Sequence, residues 1–197
     1  MSKNRLEAFS DGVLAIIITI MVLEMKAPEE ASFRALLPLL PQLAIYLLSF
    51  FYMAIYWVNH HNITHALPSV NFKLIWTNMA WLFTASLIPL ATAWVGKHPL
   101  AGPPLFLYGL VLALTSVSFL LLQHFAWQLA CDSQDLRQNM GTKGFLTLAF
   151  NFGIALSAFV WPVLSWIFMA LVAVMWFLPD KRARKWREKN KEKAAEE

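Results

Sequence analysis

Three short polar groups interrupt an otherwise apolar chain. "RLEAFSDGVLAIIITIMVLE" (residues 5–24) opens with Arg5, Glu7, Ser10 and Asp11; "YWVNHH" (56–61) brings Asn59, His60 and His61; "LIWTNMAW" (74–81) contains Asn78. A carboxylate near imidazoles suits three kinds of chemistry. It can bind a metal, but adjacent histidines on a helix diverge by about 100°, so His60, His61 and Asp11 suit one zinc site poorly. It can relay protons, as Asp/His chains do in pumps and transporters. It can also tie helices together, because Asn59, His60, His61 and Asn78 offer donors to Ser10 and Asp11. His65, His98 and His124 carry no specific signal.

The elements that must position these groups are membrane spans. Of 197 residues, 58% are hydrophobic and 14% charged, and the mean hydropathy is +0.53. The apolar residues lie in blocks long enough to cross hydrocarbon at about 1.5 Å per residue. "LFLYGLVLALTSVSFLLLQ" (105–123) has no charge at all. The chain reads as an all-α membrane protein of six transmembrane helices, near 6–25, 37–58, 74–95, 104–127, 145–161 and 163–178. The last break falls at Trp161–Pro162, since one helix over 145–178 would measure about 50 Å against a hydrocarbon core of about 30 Å. Residues 1–180 form one membrane domain, and 181–197 form a basic tail.

Charge orients the spans. Thirteen of the sixteen Lys and Arg residues fall on the side that holds both termini, with Lys26, Arg34 and Lys97 opposite. That side is cytoplasmic by the positive-inside rule. The tail "DKRARKWREKNKEKAAEE" reads as a solvated, topology-fixing helix, or as a surface for anionic lipid. Asn62-Ile63-Thr64 then lies in a cytoplasmic loop, where it would not be glycosylated. The first span has no small-residue cleavage site and is expected to stay in the protein. Cys131 is the single cysteine, which excludes an intramolecular disulfide. Phosphate-binding glycine loops, nucleophile elbows and carbonyl-filter motifs are absent from the sequence, so no enzyme, cofactor or nucleic-acid partner is expected.

Read at 100° per residue from Ile16, Arg5, Phe9, Gly12, Ile20 and Leu23 fall within about 40°, and Thr19 about 60° away. They form one stripe along the first helix. Ser10 and Asp11 lie on the other side, and an intramembrane carboxylate must find protein or water.

Arg5-x-x-x-Phe9-Ser10-Asp11, Ala15-Ile16-Ile17 and Thr19, Trp57-x-x-His60, and Asn78 with Pro89 resemble the transmembrane protein 175 potassium channels, in their prokaryotic single-repeat form. The resemblance implies a homotetramer in a cell membrane, multi-pass and of prokaryotic inner-membrane type, with the first helix of each copy lining a central potassium pore. Ile16 corresponds to the constriction, Thr19 to the ring one turn outward, and Ile20 and Leu23 to further pore positions. Arg5, Phe9, Ser10, Asp11, Trp57, His60 and Asn78 correspond to the network that holds the pore helix. Modest potassium-over-sodium selectivity is expected, through a hydrophobic constriction rather than a carbonyl cage. Two other readings stay open: a proton-coupled transporter with an Asp11/His60/His61 relay, and a non-conducting assembly protein resting on the basic tail.

Overall fold

The computed structural model describes residues 2–130 and 134–177, without the side chains of 134–142. Cys131 and the basic tail lie outside the described residues. The described chain is helical: α1 (Lys3–Leu23), a 3-10 segment (Phe33–Leu39), α2 (Leu40–Ala66), α3 (Phe72–Ala85), α4 (Ile88–Lys97), α5 (Gly102–Leu129), α6 (Gln134–Ser157) and α7 (Pro162–Phe177).

Local chemistry sets most of these boundaries. The Ser2 hydroxyl accepts from Arg5 N at 3.4 Å and caps α1; Asn71 Oδ1 accepts from Leu74 N at 2.9 Å and caps α3. Proline stands in the first turn of α2, α4 and α5, where its missing N–H costs nothing. Pro162 opens α7 after a turn over 158–160, as the sequence predicts.

Three boundaries differ from the expected ones, the first being that α6 is already helical from Gln134 and ends at Ser157, where the sequence predicts a span over 145–161 after a loop. The third span is not one helix but α3 and α4, separated at Ser86–Leu87. Pro89 cannot donate to the Ala85 carbonyl and its ring crowds that group, so the turn tightens, with Leu87 N bonded to Thr84 O at 3.2 Å. The second helix does not stop near 58. Nothing between Trp57 and Ala66 breaks it, and Pro68 is the first residue that would. His60, His61 and His65 are therefore helical.

Four segments among the described residues are long and apolar enough to cross a membrane: Lys3–Leu23, Phe33–Ala66, Phe72–Lys97 and Gly102–Leu129. Lys143–Ser157 and Pro162–Phe177 are apolar but shorter. α5 packs against α3, α4 and α6, while α1 lies against α2, α3 and α4. The core runs through Tyr52, Trp81, Ile88, Leu105, Tyr108 and Leu112, all nearly fully buried. At the α5–α6 crossing Gly109 faces Ala155, where an added Cβ would stand 2.5 Å from the Ala155 backbone nitrogen. Only a residue without a side chain permits that approach, as at small-residue contacts between membrane helices.

Candidate functional site

The two faces of α1 are sharply different. Leu6, Ser10, Leu14, Ile17 and Met21 recur every three or four residues and are buried against the rest of the bundle. Arg5, Phe9, Gly12, Ile16, Thr19, Ile20 and Leu23 are all exposed. Ile16 is 58% exposed and its neighbour Ile17 only 3%. Thr19 Oγ donates its hydrogen to Ile16 O at 2.9 Å, so what it presents outward is an oxygen acceptor. The C-terminal half of this stripe borders a groove that Ile16 and Ile20 share with Ser86, Pro89 and Leu90 of the α3–α4 bend.

What holds α1 in this orientation is a buried relay of hydrogen bonds across three helices. Ser10 Oγ donates to Leu6 O at 2.9 Å and accepts from Asn78 Nδ2 at 2.9 Å. Asn78 Oδ1 lies 2.9 Å from His60 Nε2. An amide oxygen only accepts, so this distance assigns the hydrogen to Nε2. The His60 ring stacks on Trp81, centroids 4.9 Å apart at 19°. Its Nδ1 is buried without a partner among the described residues.

Asp11 is held differently from expectation. Its donor is Trp57 Nε1, at 2.9 Å, and not Asn59, His60, His61 or Asn78. Asn59 donates to Ile55 O within its own helix. His61, about 100° from His60, turns outward and meets Glu7 at 2.9 Å. Arg5 is exposed, and its guanidinium makes no hydrogen bond among the described residues. Phe9 is likewise exposed.

These contacts belong to a ladder that the sequence reading missed. Lys3 Nζ donates to the carbonyls of His65 and Leu67, each at 3.1 Å, and so caps the C-terminus of α2. Lys3, Glu7 and Asp11 thus pair in turn with residues 65, 61 and 57 of the antiparallel helix. The Trp57, His61 and His65 rings stack along the same edge. The signal was present as two runs of period four, Lys3-Glu7-Asp11 and Trp57-His61-His65, but it needed α2 to continue to residue 66. No group of three metal-ligating side chains is assembled among the described residues.

Comparison with known proteins agrees with this geometry. Residues 5–89, which include every residue of the relay and all of the ladder except Lys3, match the family model described as endosomal/lysosomal potassium channel TMEM175. A potassium channel of Chryseobacterium sp. (strain P1-3) is 42% identical over 188 residues, covering 94% of this chain and 97% of that one. A potassium channel of Chamaesiphon minutus is 35% identical over 133 residues, 62% of this chain and 66% of the other. The endosomal/lysosomal proton channel TMEM175 of Rattus norvegicus is 28% identical over 122 residues, only 24% of its length. The fold is shared with the crystal structure of a lysosomal potassium-selective channel TMEM175 homolog from Chamaesiphon minutus, with a TM-score of 0.76 at 24% identity over 88% of this chain and 95% of that one. With a buried three-helix relay at its centre and this likeness over nearly its whole length, the chain belongs to the TMEM175 channel family.

Proposed function

We propose that this protein conducts potassium ions passively across a prokaryotic cell membrane, as a homotetramer in which four copies of α1 surround the path. In this reading the four long helical segments and the two shorter apolar helices make six crossings, with both termini cytoplasmic; residues 1–180 are the channel domain and 181–197 a cytoplasmic tail. The observation that carries it is the split of α1. Lys3, Glu7, Ser10 and Asp11 pin the helix to its own subunit, and the opposite stripe, Ile16, Thr19, Ile20 and Leu23, is left facing away from that subunit. One subunit cannot enclose water with this stripe, whereas a ring of four can. Ile16 would then set a hydrophobic constriction beside a ring of Thr19 acceptor oxygens, so that ions cross partly hydrated and selectivity is modest.

The proton-relay alternative needs Asp11 and His60 in one hydrogen-bonded chain. Instead Asp11 pairs with Trp57, and the chain from His60 runs through Asn78 and Ser10 into the Leu6 carbonyl, which is already a backbone acceptor. Neither end continues the other.

The test is potassium and sodium flux into liposomes. Ile16→Asn should raise flux and weaken discrimination, and Ile16→Trp should suppress flux while assembly persists. Ile17→Asn should act through stability, because Ile17 is buried. Equal responses at Ile16 and Ile17, or a single-chain mass by light scattering in flux-competent detergent, would remove the pore from α1.

A further inference from the structure

A narrow lateral cleft lies between α2, α5, α6 and α7, separated from the relay by the Trp81 ring, which Tyr56 and Phe119 of the cleft pack against. Its floor is buried: Tyr52, Ser116, Phe119 and Gln123. Its rim is half-buried and apolar, including Ile55, Leu120 and Trp176. The free volume is about 30 Å³, room for roughly two water-sized groups.

Gln123 is the anomaly. It is 2% exposed, yet its Oε1 has no hydrogen-bond partner and its Nε2 makes no hydrogen bond among the described residues. A buried amide left unpaired costs about 1–3 kcal/mol, so the position calls for something that satisfies it. The opposing wall is cut back at Gly144, where a Cβ would stand 3.8 Å from Gln123 Oε1 and 2.8 Å from Leu120 Cδ2. The other polar groups of the cleft are already engaged. Tyr56 bonds Ser116 at 2.8 Å, and Thr147 Oγ accepts from Trp176 Nε1 at 2.9 Å. Only Asn59 adds a free acceptor, its Oδ1, since its Nδ2 is spent on Ile55 O.

Among the described residues the lining thus offers one complete amide and a second acceptor, no carboxylate and no cation. A cation would be buried without a counter-charge, and an anion would face the unpaired Gln123 and Asn59 acceptor oxygens. The Lys143 ammonium lies over the Trp176 ring, 5.6 Å from its centroid, and further disfavours a cation. A hydroxyl, which donates once and accepts, matches the Gln123 amide in both senses. We propose that this cleft is a lateral binding site for the hydroxyl end of a neutral amphiphile, an aliphatic alcohol whose hydroxyl meets the Gln123 amide while its chain leaves over Ile55 and Trp176 along the apolar surface.

The experiment is photolabelling of the intact purified protein with an aliphatic diazirine alcohol, with adducts mapped by mass spectrometry. Saturable labelling is expected at Ile55, Leu120 or Trp176, displaced by excess octanol and absent with the matching diazirine alkane. Gln123→Leu removes the amide at nearly constant size, and Gly144→Ala narrows the wall while favouring the helix; each should lower site labelling at least fivefold. Labelling shared evenly with the exposed Phe83 and Leu110, or unaffected by both variants, would overturn the site and leave Gln123 with a structural water only. The readout needs no ion flux, so it succeeds or fails independently of the pore.

Discussion

Asn78 joins α1, α2 and α3 through its two amide atoms, and its removal has a magnitude that can be worked out. Its Oδ1 holds His60 of α2 and its Nδ2 holds Ser10 of α1, both at 2.9 Å and both fully enclosed. Asn78→Ala deletes two interhelical bonds and strands the His60 Nε2–H, whose ring already has an unpartnered Nδ1. Interhelical hydrogen bonds in membranes are each worth about 0.6 kcal/mol on average and at most about 1.7. Two give a loss of about 1–3 kcal/mol, which corresponds to a fall in melting temperature of about 3–10 °C for a chain of this size. Ser10→Ala costs about half as much, because Asn78 loses one partner while His60 keeps its own. The double variant should melt close to Asn78→Ala alone, since the Ser10–Asn78 bond can be lost only once. The assay is thermal unfolding of the purified protein in one detergent, followed by size-exclusion chromatography. An Asn78→Ala protein that melts within about 1 °C of wild type, or strictly additive losses in the double variant, would refute the relay as the device that orients α1.

Three further outcomes follow from the same geometry. Trp57→Phe keeps the ring beside His61 but removes the Nε1–H that binds Asp11; it should lower stability by about 0.5–1.5 kcal/mol, and Asp11→Asn should cost less because the amide oxygen still accepts, both read from melting curves. Gly109→Ala places a methyl 2.5 Å from the Ala155 backbone nitrogen, so α5 and α6 must separate; a loss of about 1–3 kcal/mol or more is expected, measured as yield and melting temperature. Pro89→Ala restores a donor to the Ala85 carbonyl and should leave stability within about 1 kcal/mol while altering potassium flux, because Pro89 and Leu90 share a groove with Ile16 and Ile20; unchanged flux would separate the bend from conduction.

How much of this was legible in the sequence depends on whether a signal was local. The two-faced character of α1 follows from helical spacing alone, and the structure leaves the predicted stripe exposed and buries Ser10 on the other side. The turn before Pro162 was legible because proline acts on its own neighbours. The bend at Ser86–Leu87 had the same kind of cause in Pro89, but an unbroken apolar run concealed it, since hydropathy does not register a lost hydrogen bond. Gly109 was invisible for a different reason: its role is defined by Ala155, on another helix, and nothing around it in a leucine-rich run distinguishes packing from chance.

The misassigned partners of Asp11 teach the most. The sequence reading placed these groups at one level along the helices, but level alone cannot choose among Trp57, Asn59, His60 and His61; angle does. Once α2 continues to Ala66, residues 57, 61 and 65 share one edge and 60 lies about 100° from 61. Glu7 and Asp11, one turn apart on α1, then meet 61 and 57 in antiparallel order, with Lys3 closing the end. Meanwhile Ser10, between them in sequence but turned inward, reaches Asn78. Two polar seams at different angles fix both the height and the rotation of α1, which one seam could not do. A rotation of one residue, about 100°, would bring Ile17 to the position of Ile16 and break every bond in both seams. The polar residues at the mouth of this helix therefore determine which isoleucine faces outward, and that is why a membrane helix carries them.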